Sequence, residues 1–435
     1  MSQTSRPRFS RDEARLARSA LLPQVGLSAT TVQVSEELAE TGVFVERRTD
    51  VSVVGSQVLY SEDARTGHRI ANLLAAFSDE TYKAATLDTL AATAASYLTV
   101  LRAEALEAVT RSNVEVTRTN LDLARIRART GYSGRAEVLR WESEIARDRQ
   151  ELAAAEAARE QAATELNRLL SRGQGTALAT TEQGLDDTID FLESAGFQKY
   201  VSNPGNWSIF QDFYAEAALE NAPEIAGFDT LVRAQDRQVR ADRRRFYVPE
   251  VTLQVLANHN INGSGIGSAA FESALDDDTW SVGVQFTLPL FSGGALRSDL
   301  SRSRHRLRQL ELERDVVREN VEARIRSALQ RIGGSYPALD LSRQAADAAS
   351  RNLELVTDQY SRGAVSVTDL IDAQEAALQA RLSAADARYA FLIDFVAVQR
   401  AAGDFQLLLR PGRTADWMNQ VEHFFKQRQT TGLKR

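Results

Sequence analysis

Two alternations of apolar and polar positions dominate this chain, one of period two and one of helical period. Trp280, Val282, Val284, Phe286 and Leu288 alternate with Ser281, Gly283, Gln285 and Thr287, so one face of an extended segment is apolar and the other polar. Similar strand signals occupy 25–34, 50–60 and 251–258. After the first pair of strands, from His68 to Thr130, there is no proline and no glycine until Gly131, which allows one helix of roughly 63 residues and about 95 Å. Leu87, Leu90, Ala94, Tyr97 and Leu101 recur along it at helical and heptad spacing, the mark of a packed seam. The chain turns at Gly131–Gly134 and returns through 137–170, where Ala153–Ala155, Ala157, Ala158, Ala162 and Ala163 permit close helix approach.

The same plan appears twice. A shift of about 232 residues lays Asn120-Leu121 on Asn352-Leu353, Gly131 on Gly363 and Glu137 on Asp369. It also brings Leu22-Pro23-Gln24-Val25 close to Val248-Pro249-Glu250-Val251, and Leu59-Tyr60-Ser61 close to Leu290-Phe291-Ser292. Pro23 and Pro249 each end a helical approach and commit the chain to an extended path. The second hairpin runs through 298–362, a turn at Gly363 and 368–402, with Gly333-Gly334 and Pro337 expected to interrupt its first helix. The expected organisation is a first repeat over 1–183, a linker over 184–216, a second repeat over 217–403 and a tail over 404–435. The unpaired segments 184–206 and 404–435 are expected to form a belt around the helices.

Composition narrows the class. Of 435 residues, 43% are hydrophobic and 26% charged, so the chain is ordered with a polar surface. A net charge of -7 leaves no basic excess for a phosphate backbone and argues against nucleic acid as a partner. There is no cysteine, and His68, His259, His305 and His423 lack metal-ligand spacing, so no metal and no cofactor are expected. No stretch reaches about 18 consecutive apolar residues; a membrane-spanning part is expected to be made of strands. The opening MSQTSRPRFSRDEARLARS has no apolar stretch of signal-peptide length. The helical approach before Pro23 covers about a dozen residues against about thirty, 217–246, before Pro249, and the expectation is that a helix and a leader are missing.

In this order and spacing, ALLPQVGL at 20–27, LNRLL at 166–170, FTLPLFSGG at 286–294 and QYSRGAVSVTDLIDAQ at 359–374 resemble the TolC-like outer membrane efflux protein family over nearly the whole chain. The resemblance implies a mostly helical α+β fold. Long antiparallel hairpins form an α-barrel, and four strands per protomer contribute to a trimeric twelve-stranded transmembrane β-barrel, whose closure removes sheet edges that lipid cannot satisfy. It implies a passive outer-membrane duct of an efflux or type I secretion system that extends into the periplasm. Its partners are an inner-membrane transporter, a periplasmic adaptor and outer-membrane lipid.

The resemblance also assigns residues. Asp369 and Asp372 match the aspartates of the family's entrance; three apart, they share a helix face, and in a trimer they form two carboxylate rings able to attract cations and bind a divalent ion. The simpler reading is an acidic helix start near the positive end of its dipole. Tyr360 matches a tyrosine that holds the entrance closed, whereas Val365 stands where an arginine is expected. The hairpin tips, with Gly131, Tyr132, Ser133, Arg362, Gly363 and Ala364, are the expected adaptor contacts, and Ser281, Gly283, Gln285 and Thr287 the lumen side of a strand.

Three motifs carry little. Gly263-Ser-Gly-Ile-Gly267 lacks the flanks of a phosphate loop and is read as a surface loop. Asp276-Asp277-Asp278 lies in that loop without further calcium ligands. The four arginines and one histidine of 302–308 spread around a helix, so a solvated face is favoured over anionic lipid. The rival to a duct is a soluble helical scaffold that binds partners through its hairpins. It leaves the matched period-two strands unexplained; an enzyme is a distant third, with no nucleophile–base pair in view.

Overall fold

The computed structural model describes residues 6–41, 44–182, 203–266, 268, 277–403, 405 and 414–432. The first repeat comprises α1 (Arg6–Ser19), β1 (Gln24–Gln33), the short α2 (Glu36–Ala39), β2 (Arg47–Tyr60), α3 (Glu62–Arg129) and α4 (Arg135–Leu169). The second comprises α5 (Pro204–Asn221), α6 (Pro223–Arg244), β3 (Glu250–Ser264), β4 (Asp278–Thr287), α7 (Ala295–Ser361) and α8 (Val367–Ala401), followed by α9 (Thr414–Gly432). The expected 184–206 belt segment falls largely outside the described residues, as does 406–413; Gly267 and Asp276 also fall outside.

Two compact units emerge, and each draws on both repeats: Met1–Lys83 with Pro223–Val317, and Ala84–Ala222 with Arg318–Arg435. The first holds an antiparallel sheet in the order β1-β2-β3-β4. Its central pair joins the repeats, with Ser52 opposite Asn258 and Val53 opposite Ala257. Cross-strand partners share a face, so Val25, Gly55, Val255 and Val282 lie on one side, and Ser28, Ser52, Asn258 and Thr279 on the other. Gln254 donates to Gln285 at 3.1 Å and Ser52 to Asn258 at 2.7 Å, both on the polar side. The apolar side is uncovered within the chain: Val25 is 74% and Trp280 78% exposed. Both edge strands, β1 and β4, are exposed along their whole length.

In the second unit, Leu98 and Leu101 of α3 pack with Tyr389, Leu392 and Val396 of α8, and Leu87, Ala91 and Ala94 extend the contact. This is the seam expected from the heptad spacing. α3 contains one window apolar and long enough to cross a bilayer, of which 17% is buried, and Leu98 and Leu101 of this seam lie on the same helix.

Three expectations need correction. α7 runs unbroken through Pro337. The helix loses one hydrogen bond at the proline, and its neighbouring residues are packed: Tyr336 meets Phe391 at 5.7 Å, and the Trp207 indole lies so close to Gly333 that a Cβ there would stand 3.3 Å from it. The helical approach to β3 is two helices, because Pro223 opens a new one after Ala222 turns to an extended conformation. Asp278 belongs to β4 rather than to the preceding loop, and its carboxylate meets His259 Nδ1 at 2.8 Å; Gly263 and Ser264 belong to β3.

Candidate functional site

Both hairpin tips are built the same way. Gly131 and Gly363 follow the ends of α3 and α7 with φ of 77° and 78°, the left-handed conformation that only glycine adopts freely. The next residue bonds back five positions, Tyr132 N–H to the Arg127 carbonyl and Ala364 N–H to that of Gln359, both at 2.9 Å. Tyr132 is 82% exposed, Arg362 pairs with Asp358 at 2.7 Å one turn back, and Ala364 is exposed, while Ser133 is half-buried.

The tips differ at the helix starts that follow. Ser366 caps α8 through a reciprocal capping box: its backbone N–H and hydroxyl donate to Asp369 Oδ2 at 2.8 and 2.7 Å, and its Oγ accepts from the Asp369 N–H at 3.3 Å. Hydrogen bonds from the Ser366 side chain and backbone hold the Asp369 carboxyl below the usual carboxylate value. Asp369 is thus a cap residue as well as an exposed acid. Asp372, one turn on, is exposed and makes no hydrogen bond or ion pair among the described residues.

The equivalent start of α4 has Gly134 as its cap, which offers no side chain, and this frees Glu137. Its carboxylate accepts a hydrogen bond from the Tyr360 hydroxyl. Tyr360 is fully buried in a cluster with Leu121, Ala124, Trp141, Ile145 and Leu370. Burial, then the facing Glu137 carboxylate, pushes the phenol up to about 12, so it stays a donor throughout the physiological range. Arg127 lies over the ring with its guanidinium carbon 4.6 Å from the centroid, donates to the Tyr360 carbonyl at 2.7 Å and approaches Glu137 at 3.8 Å. Val365 packs against this cluster rather than bonding to it. An arginine does reach the tyrosine, from α3.

Deeper among the same helices lies a buried polar layer. Gln374 of α8 donates to Asn113 at 3.0 Å and to Thr117 of α3, and accepts from Asn120 at 2.9 Å; Thr117 in turn donates to Asp148 of α4. Burial raises the Asp148 carboxyl above its ordinary value, against the Thr117 hydrogen bond that lowers it. The sequence points to Asp369, Asp372 and Tyr360 but not to Arg127, Glu137, Trp141 or this layer. The repeat alignment of Glu137 with Asp369 was the one available signal.

On β4, Ser281, Gly283, Gln285 and Thr287 share the face opposite Trp280, Val282, Val284 and Phe286, as the alternation requires. No group of acids and histidines spaced for a metal occurs among the described residues.

The family model of the outer membrane efflux protein matches residues 6–172 and 214–404. The outer membrane protein TolC of Salmonella enteritidis is 23% identical over 402 residues, spanning 89% of this chain and 75% of the relative. The alkaline protease secretion protein AprF of Pseudomonas aeruginosa is 24% identical over 399 residues, spanning 89% and 78%. Among solved structures, the outer membrane protein VceC of Vibrio cholerae superposes with a TM-score of 0.72 at 19% identity, over 92% of each chain. This last likeness concerns the fold.

Proposed function

The chain belongs to the outer membrane efflux protein family, a transport rather than an enzyme family with its place in the outer membrane, and we propose that it works as a trimeric exit duct. The observation that carries this reading is the four-stranded sheet with an uncovered apolar face and two unpaired edges. Lipid accepts the face but not the edges, so further copies must pair β4 with β1 until a barrel closes. In that barrel Ser281, Gly283, Gln285 and Thr287 line the lumen.

Transport is passive in this reading. An inner-membrane transporter supplies the energy, a periplasmic adaptor engages the tips around Gly131–Ser133 and Arg362–Ala364, and substrates pass through. The similarity to TolC and to a protease secretion protein supports both efflux and type I secretion as settings. Asp369 and Asp372 ring the periplasmic entrance, and Tyr360 on Glu137 and Arg127 holds it narrow. Arg127 Nε faces the Glu137 carboxylate at 3.8 Å, so the charge that holds the tyrosine's partner comes from α3.

Purified protein in detergent and in planar bilayers tests the proposal. A trimeric mass with small, cation-selective steps that widen in Asp369→Ala/Asp372→Ala supports it. A water-soluble monomer giving no conductance refutes it.

A further inference from the structure

At one end of the sheet the chain passes from exposed apolar residues straight into arginines. The register sets Gln24 opposite Ser56, Ser56 opposite Gln254 and Gln254 opposite Gly283, so β1 and β3 begin, and β2 and β4 finish, at that same end. Leaving β4, the chain exposes Leu290 by 92% and Phe291 by 91%; approaching β3, it exposes Phe246 and Tyr247. Apolar and aromatic residues of this kind gather where a membrane meets water.

Between 297 and 308, α7 carries five arginines against the single acid Asp299. The helix divides them into two sets. Arg302 meets Asp299 at 2.9 Å and Arg306 meets Glu313 at 3.8 Å. Arg297, Arg304 and Arg308, seven and four residues apart, fall within about 40° of one another at about 100° per residue. All three side chains are exposed without an ion pair or hydrogen bond among the described residues, while Ser303 and Leu310 mark the buried side. The run 302–308 does spread around the helix, but Arg297, Arg304 and Arg308 make a stripe along one side of it. Farther along, the same face carries Glu311 and Asp315, which confines the unanswered positive charge to about 18 Å next to the strands. On α6, Glu62 occupies Arg237 and Arg244 at 2.6 and 3.4 Å, and the neighbouring Arg243 is left exposed and unpartnered.

We propose that Arg297, Arg304 and Arg308, with Arg243, form a contact surface for the phosphates of anionic glycerophospholipid in the leaflet the strands enter from their helical end. Charge complementarity favours this partner: guanidinium forks match phosphate oxygens, and the basic stripe begins beside the apolar rim. The inference rests on the membrane placement of the sheet and does not need the duct to conduct.

The test reconstitutes the protein in phosphatidylcholine bilayers with trace spin-labelled phosphatidylglycerol or spin-labelled phosphatidylcholine and reads the fraction of each held at the protein surface. At low salt the anionic lipid is preferred by about fivefold, and the preference fades in roughly 0.5 M salt. It falls to near one in Arg243→Gln/Arg297→Gln/Arg304→Gln/Arg308→Gln and survives in the matching Arg→Lys variant. No preference in the parent protein, or an undiminished one in the glutamine variant, overturns the proposal. So does a glutamine variant that loses its oligomer while the parent shows no lipid preference, which assigns the stripe to a neighbouring copy. A change of ion selectivity with unchanged lipid preference assigns it to the water path and overturns it too. Failure of the duct reading appears instead as absent conductance, with the lipid ratio still readable.

Discussion

Glu137 and Asp369 occupy equivalent positions in the two repeats and hold different partners: Asp369 is bound by Ser366 at its own helix start, whereas Glu137 takes the hydroxyl of Tyr360. One residue sets the difference. Where the second repeat has Ser366 as its cap, the first has Gly134.

Giving the first repeat the missing cap should therefore weaken the tyrosine contact. Gly134→Ser is expected to draw Glu137 into a capping box and raise hydrogen exchange around Tyr360, and Ser366→Ala to leave Tyr360 protected while the first turn of α8 exchanges faster. At Asp369 the sign is set by its lowered pKa: the cap is present at neutral pH and is lost only as pH falls through that lowered value.

Tyr360→Phe keeps the ring in its cluster and removes the bond to Glu137. A loss of about 1 kcal/mol at the tip and a larger single-channel conductance are expected, the former read by thermal unfolding. Unchanged conductance would separate the tyrosine from entrance closure.

Asp148 makes the opposite pH prediction. Burial raises its pKa above the ordinary 3.8, so the penalty is absent below that value and grows as pH rises through the raised one. Asp148→Asn, which still accepts from Thr117, should melt higher than the parent at pH 8 and match it near pH 3. Asp148→Leu strands the Thr117 hydroxyl and is expected to cost roughly 1–3 kcal/mol.

The two tip glycines isolate backbone strain, because a Cβ at Gly131 or Gly363 would meet nothing within 4 Å. Replacing either with alanine should cost about 1 kcal/mol through its positive φ alone. Calorimetry of the single and double variants should show the two costs adding.

The two faces of β4 are expected to respond unequally to charge. Val282→Lys puts an ammonium on the apolar face and should lower assembled yield, at roughly 2–4 kcal/mol near a bilayer midplane. Gln285→Lys should assemble and shift ion selectivity toward anions. Exchanged outcomes would reverse the assignment of lumen and lipid sides, and equal ones would remove it.

Much of this architecture was legible along the chain because its signals are local. Period two in β4, glycine at Gly131 and Gly363, and proline at Pro23 and Pro249 each act within a few residues. The contacts of Tyr360 were hidden because it meets Glu137 across 223 positions and Arg127 across 233, and nothing near a tyrosine names its distant partner. Pro337 misled for a related reason: its local cost is real, yet the helix around it is packed by residues remote in sequence, Trp207 at Gly333 and Phe391 at Tyr336. The stripe Arg297–Arg304–Arg308 emerged once ion pairs to Asp299 and Glu313 set Arg302 and Arg306 apart.

The hydrogen bond from Ser52 to Asn258 spans 206 positions, and the central strand pairing lies across the same gap. A ribosome must make more than half the chain before the first hairpin of strands meets its neighbour. Until then β2 emerges with its far side bare, and neither unit can be finished by the first repeat. Synthesis thus delivers a half-made sheet that must be kept from pairing wrongly, and maturation waits on the second repeat.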